Sequence, residues 1–198
     1  MDFEIRQEAA TAGALAEHAR ISIAFVVDRI LEMTLVDGGL GGVLLAEAPV
    51  AAPYVKDYDA MEGEGPTRWA THFDLSNWGI LGAYRDGARV GGAAIALRTD
   101  DLRMLDGRDD VAALWDIRVA PQARGSGVGS ALFRAAEQWA GARGCGWLKI
   151  ETQNVNLGAC RFYQSMGCTL GAIDRLAYPD LPAEVQLLWC KELTAPRR

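Results

Sequence analysis

The sixteen residues Leu114-Trp-Asp-Ile-Arg-Val-Ala-Pro-Gln-Ala-Arg-Gly-Ser-Gly-Val-Gly129 pass from an apolar run into a turn holding three glycines and a proline. Leu114 to Val119 reads as a strand. From Val128 onward, Ala131, Leu132, Ala135, Trp139 and Ala142 follow the helical period, and Gly144 is a natural stop. A strand therefore enters a helix through a glycine-rich turn. The first amides of a helix have no internal partners and carry the positive end of its dipole. Glycines let a ligand approach them closely, so such a turn suits a phosphate. It equally suits a tight connection that needs glycine only for its geometry. The pattern is neither a P-loop nor a dinucleotide fingerprint.

Working outward, Asp86-Gly87 sits between Trp78–Tyr84 and Val90–Leu97 and predicts a hairpin. Further strands are expected at 3–7, 43–47, 112–119, 147–151, 168–177 and 184–192. Residues 9–32 read as two helices broken near Arg20. Residues 49–77, with Pro49, Pro53, Gly63, Gly65 and Pro66, read as a long irregular loop. Asn154 or Asn156 would cap a second C-terminal helix, with Ala159, Phe162, Tyr163 and Met166 on its apolar face and Gly167 at its end. Hairpins beside strand-helix-strand units predict an α+β domain with a mixed sheet flanked by helices, and all 198 residues are expected to form that one domain.

Acidic residues outnumber basic ones 26 to 20, which argues against generic nucleic-acid binding and suits a cationic small substrate. No apolar stretch is long enough for a membrane helix, and no signal peptide is read at the N-terminus. Cys145, Cys160, Cys168 and Cys190 lack metal-ligand spacing, and His18 and His72 are the only histidines, so no metal is expected. Free thiols in a reducing cytoplasm are the expectation. An exposed strand edge near the C-terminus would allow a homodimer.

The segment Val119-Ala-Pro-Gln122-Ala-Arg124-Gly125-Ser126-Gly127-Val128-Gly129 resembles the acetyl-CoA pyrophosphate loop of the GNAT N-acetyltransferases, [R/Q]-x-x-G-x-[G/A]. Leu114 to Val119 is similar to that family's fourth strand. Asn156, Ala159, Phe162-Tyr163 and Gly167 are similar to its N-x-x-A-x-x-F-Y-x-x-x-G segment. The resemblance covers about residues 78–193 and implies the family's fold, with a mostly antiparallel central sheet. It implies acetyl-CoA as cosubstrate, held by the loop, by Ile117 and Val119 of the strand, and by Asn156 and Phe162. It implies Tyr163 as general acid for the departing thiolate. Lys149 to Asn156 with Gly171 to Pro179 more specifically resembles streptothricin acetyltransferases, which acetylate an amine of a cationic antibiotic. Acetylation of a peptide or ribosomal-protein N-terminus, and acetyl-CoA sensing without turnover, are the competing expectations.

Several residues could handle the amine. Asp116 interrupts an apolar strand, where a carboxylate needs a partner, and alternation puts it on one face with Leu114 and Arg118. The competing role is a structural ion pair with Arg118. Glu151 ends the next strand as a second candidate base, or as an exposed strand-end charge. Tyr163 also lies on its helix's apolar face, so core packing competes with catalysis there. Asp174 and Tyr178 could line an acceptor pocket or belong to an ordinary loop. Tyr54, Tyr58, Trp69, Phe73, Asp74 and Trp78 form an aromatic-acidic mix suited to a cation, or a satellite hydrophobic cluster.

Overall fold

In the computed structural model, which describes residues 3–193, the Asp86-Gly87 turn joins strands β4 (Gly79–Arg85) and β5 (Ala88–Ala96). Asp86 has φ 51° and Gly87 φ 78°, the two positive values that a two-residue hairpin turn requires. Strand β1 (Glu4–Glu8) lies antiparallel to β4, and helix α1 (Ala12–Ala19) follows it, capped by Thr11. Strand β6 (Val111–Val119) lies antiparallel to β5, and β7 (Trp147–Gln153) lies parallel to β6. The crossover between these two is helix α3 (Val128–Gly141), because parallel neighbours cannot be joined by a tight turn.

Strands β8 (Thr169–Asp174) and β9 (Gln186–Glu192) complete the order β1-β4-β5-β6-β7-β9-β8. The architecture is a mixed, mostly antiparallel sheet flanked by helices. No described helix is long and apolar enough to cross a membrane.

Of the described residues, 3–23, 57–150 and 190–193 form one compact unit, and 24–56 with 151–189 form another. In the first, α3 buries Val128, Leu132, Phe133, Ala136, Trp139 and Ala140, one helical face. Two glycines of β5 bring helices close from opposite faces. A Cβ at Gly91 would stand 2.9 Å from Val128 Cγ1 on α3, and one at Gly92 would stand 2.4 Å from His18 Nδ1 on α1. The short helix α2 (Trp69–His72) also belongs to this unit.

The second unit departs from the sequence reading. Residues 25–32, expected as helix, begin strand β2 (Phe25–Val36), and residues 49–56, expected as loop, end strand β3 (Gly42–Lys56). Val26, Val27, Ile30, Thr34 and Val36 are β-branched and stiff in a helix. Their cross-strand partners lie outside any local window. The turn signal is Asp37-Gly38-Gly39, all at positive φ. Pro53 is tolerated because Val27 pairs with Tyr54 and Arg29 with Pro49, which leaves residues 50–53 bulged opposite Asp28. Helix α4 (Leu157–Ser165) completes this unit.

Trp139 packs against β4 where Gly79 offers no side chain, and a Cβ there would come within 2.4 Å of the indole. Gly79→Ala is expected to destabilise by about 1–3 kcal/mol. Gly141→Ala, with nothing within 4 Å of the added carbon, is expected to stabilise by about 0.5–1 kcal/mol through helix propensity. Urea unfolding of both variants checks the pair.

Candidate active site

Strand β6 is interrupted by a bulge. Ala94 pairs with Asp116 and Ile95 with Leu114, so Trp115 is an extra residue in the ladder. Pairing of β6 with β7 ends at the same level, at Leu114 opposite Ile150, although β6 continues to Val119. A bulge bends and over-twists its strand. The outer backbone groups of residues 115–119 thus have no strand partner among the described residues. An unpaired strand edge can hydrogen-bond an extended ligand.

The bulge also resets the faces. Asp116 and Arg118 stand opposite Ala94 and Gly92, on the α1 side. Leu114, Ile117 and Val119 stand opposite Ile95, Ala93 and Gly91, on the α3 side. Asp116 therefore shares a face with Arg118 but not with Leu114, which simple alternation had joined to them.

Beyond Val119, the Ala120 amide donates to Val90 O at 2.9 Å, and the chain turns through Pro121–Ala123. Gln122 and Arg124 are exposed, and Arg124 Nε donates to Val119 O at 3.2 Å. Gly125 and Gly127 have φ 73° and 87°, which accounts for glycine at both. Gly127 is the N-cap of α3, and no side chain caps this end. The first helical bond runs from Ala131 N–H to Gly127 O at 3.0 Å, so the amides of Val128, Gly129 and Ser130 precede it. Val128 is wholly buried, whereas Gly129 and Ser130 are half-buried. Ser126 Oγ donates to Ala123 O at 2.7 Å and accepts from Arg85 Nη2 at 3.1 Å. Arg85 escaped the sequence reading because nothing in the sequence links a hairpin residue to a turn forty residues later.

Asp116 is held in a buried network. Arg118 Nη2 and Nε donate to its two oxygens at 2.5 and 2.9 Å, and His18 Nε2 lies 2.7 Å from Oδ1. Arg118 also donates to Asp59 Oδ2 at 2.7 Å and to Ile21 O at 3.0 Å. Burial pushes the Asp116 carboxyl up, but Arg118 and His18 outweigh it and hold it well below the usual carboxylate range. The ion pair weighed as the alternative for Asp116 is the arrangement present. His18 and Asp59 were not foreseen. His18 reads from sequence only as a polar residue three positions after Leu15.

In the other unit, Glu151 and Tyr178 come together. Tyr178 OH donates to Glu151 Oε1 at 2.6 Å and accepts from Gln153 Nε2 at 2.9 Å. Burial raises the Glu151 carboxyl above its ordinary value, opposed by hydrogen bonds from Tyr178 and Gln186. Burial, with the Glu151 charge, raises the Tyr178 phenol. Asn156 is the N-cap of α4, its Oδ1 accepting from the Ala159 amide at 3.1 Å. Tyr163 is buried on that helix, its ring 5.3 Å from that of Phe162. Asn154, unforeseen as a staple, donates to Leu31 O at 3.1 Å and accepts from the Val185 amide at 2.8 Å.

The aromatic-acidic mix is divided. Trp69 and Trp78 are buried, and the Trp78 ring packs against Trp69, Phe73 and Trp115 at 5.8–5.9 Å. Trp78 Nε1 donates to Thr99 Oγ1 at 3.0 Å. This is a packed hydrophobic cluster with its polar edge satisfied. Asp74 accepts from the Ser76 amide and hydroxyl, and Asp174 from the Leu176 amide, so each closes a local turn. Tyr54 belongs to β3 and Tyr58 to the segment after it. No described group of His, Cys, Asp and Glu could hold a metal.

Asp116→Asn would leave the Arg118 charge buried with only Asp59 as counter-ion, at a cost of about 3–5 kcal/mol. A lowered folded-state pKa contributes stability above the unfolded value, and that contribution is lost as pH falls through the folded one. Wild-type stability is therefore expected to decline from about pH 4 downward, and Asp116→Asn is expected to lack this component. Urea unfolding at pH 7 and pH 3 measures both effects.

Comparison with known proteins agrees with this geometry. Residues 47–168 match the model of the Acetyltransferase (GNAT) family. The streptothricin acetyltransferase of Streptomyces lavendulae is 29% identical over 161 residues, 81% of this chain and 79% of the relative. Streptothricin acetyltransferase A of Bacillus subtilis (strain 168) is 38% identical over 80 residues, 39% of this chain, and that match spans less than half of the relative (46%). The crystal structure of nourseothricin acetyltransferase superposes with TM-score 0.75 at 26% identity, covering 98% of this chain and 100% of the other. A Bacillus anthracis protein solved in complex with acetyl coenzyme A gives TM-score 0.74 at 25% identity with the same coverage. The bulged strand, the glycine turn and the uncapped helix stand inside the matched region, and the chain belongs to the GNAT acetyltransferase family.

Proposed function

We propose that this chain transfers the acetyl group of acetyl-CoA to a primary amine of a small cationic molecule of the streptothricin class. The observation that carries the donor half is the uncapped N-terminus of α3 beneath Gly125-Ser126-Gly127, at the end of the unpaired edge of β6. Free amides and a positive dipole there fit a pyrophosphate. Gln122 and Arg124 extend the same turn, and Gly129 lies in the first turn of α3. The Ile117 and Val119 backbone fits the extended arm that joins a pyrophosphate to a thioester. The acceptor class rests on the streptothricin acetyltransferases among the relatives.

When bound, acetyl-CoA supplies a thioester-activated acetyl group. An alkylammonium with pKa about 10.4 needs about 4.6 kcal/mol to lose its proton at pH 7, so the chain must supply a base. Glu151 fits this role best. It is a carboxylate raised by burial and oriented by the Tyr178 hydroxyl. It accepts the ammonium proton as the amine nitrogen bonds to the acetyl carbon. Tyr163 gives its phenolic proton to the departing thiolate. Asp116 acts as a positioning residue, holding Arg118 and β6 in place. Asp174 and Trp78 make turn and packing contacts that shape their surroundings, Asn156 caps the first turn of α4, and Phe162 packs beside Tyr163 on the same helix.

The test is CoA release from acetyl-CoA against streptothricin, aminoglycosides, polyamines and N-terminal peptides. Streptothricin turnover is expected, falling at least 100-fold in Glu151→Gln and more modestly in Tyr163→Phe. A base works only when ionised, so kcat/KM is expected to fall as pH drops through the raised Glu151 pKa. Tyr178→Phe removes a hydrogen bond that favours the ionised form, and should shift this acid limb to higher pH. Turnover with peptides alone would replace the acceptor class. Tight acetyl-CoA binding with no product from any amine would favour a sensor.

A further inference from the structure

We propose that Arg85 is a further residue of the donor site, a guanidinium that contacts the pyrophosphate across the Gly125-Ser126-Gly127 turn. The inference rests on the acetyl-CoA reading above. Arg85 ends β4 immediately before the Asp86-Gly87 turn, and its pairing with Ala88 closes the hairpin. Its direction is thereby set by the hairpin register. Nη2 reaches Ser126 Oγ at 3.1 Å, and the Ser126 hydroxyl proton is already directed to Ala123 O at 2.7 Å. The serine therefore holds the guanidinium through a lone pair in one orientation.

The charge environment points to an anion. Arg89, four residues on, pairs with Glu8 at 3.1 Å, and Arg118 pairs with Asp116. Arg85 is half-buried, and among the described residues that hydroxyl is its one hydrogen-bond partner, with no carboxylate paired to it. A guanidinium carries five N–H donors, so four remain. The guanidinium also stands beside the positive, uncapped end of α3. Two positive sources side by side repel each other unless an anion lies between them. A purely structural arginine at this place would gain from an ion pair, and Arg85 makes none even with Asp86 next to it in the turn. Of the phosphates in the cosubstrate, the pyrophosphate is assigned because Ser126 is the middle residue of the turn whose amides face it. Guanidinium forks suit phosphate oxygens bidentately.

The experiment is calorimetric titration of the full chain, wild type and Arg85→Gln, with acetyl-CoA, acetyl-dephospho-CoA and S-acetylpantetheine. Arg85→Gln is expected to weaken the first two equally, by about 10- to 100-fold, and to leave S-acetylpantetheine unchanged. Arg85→Lys, which keeps the charge, is expected to weaken the same two by a smaller factor. Unchanged affinity for acetyl-CoA in Arg85→Gln overturns the proposal. Loss for acetyl-CoA but not for the dephospho compound overturns it in favour of the 3′-phosphate. Equal loss for all three overturns it in favour of a structural role. A wild-type chain that binds none of them overturns the acetyl-CoA reading itself, and the Arg85 assignment falls with it.

Discussion

The buried pair of Asp116 and Arg118 is what the first unit is assembled around. One carboxylate, accepting from an arginine and contacting a histidine, joins strand β6 to helix α1. The same arginine reaches the Ile21 carbonyl and Asp59, so the segments after α1 and before α2 are tied to the strand as well. Charges taken out of water are tolerated only when their hydrogen-bonding capacity is met, and here both Asp116 oxygens and both Arg118 amino groups are engaged. Geometry this demanding fixes the backbone of β6 where a ligand would need it fixed.

The Trp115 bulge gives that network its functional meaning. It ends the parallel pairing with β7 and turns residues 116–119 so that charged and apolar side chains separate cleanly. The charged face is anchored below. The apolar face packs beneath α3, whose N-terminus emerges at the end of the same strand. Strand edge, turn and helix terminus thus come from one continuous stretch, residues 115–130, supported from one side by ion pairs and from the other by the α3 core. The comparison structures share this overall architecture across nearly the whole chain.

What could be read from the sequence divides along the range of the interactions. The Asp86-Gly87 hairpin, the strand-turn-helix at 114–129, and the Asn156 cap are encoded by residues a few positions apart, and the structure has all three. The β2–β3 ribbon was misread because its strands gain their stability from partners on the other strand, and its alternation is broken at the bulge. The network around Asp116 was half legible. Arg118 lies two residues away, whereas His18 lies 98 away and Asp59 57 away in sequence. The Trp115 bulge has no local signature, which is why alternation misplaced Leu114 relative to Asp116. Trp69 and Trp78 carry the same chemistry in a cation cage and in a core, and burial alone distinguishes the two.

The missing cap on α3 has a consequence for the chain's durability. A helix whose first amides lack protein acceptors is weakest at that end until acceptor oxygens arrive from outside. Any anion that docks there completes the secondary structure as well as the site, so occupancy and folding become one linked equilibrium. A ligand at a hundred times its dissociation constant adds about 2.7 kcal/mol to the native state, a sizeable share of what a domain of this size holds in total. A substrate that is always present would therefore act as a standing part of the fold, and depletion of that substrate would be felt first as loosening of the glycine turn.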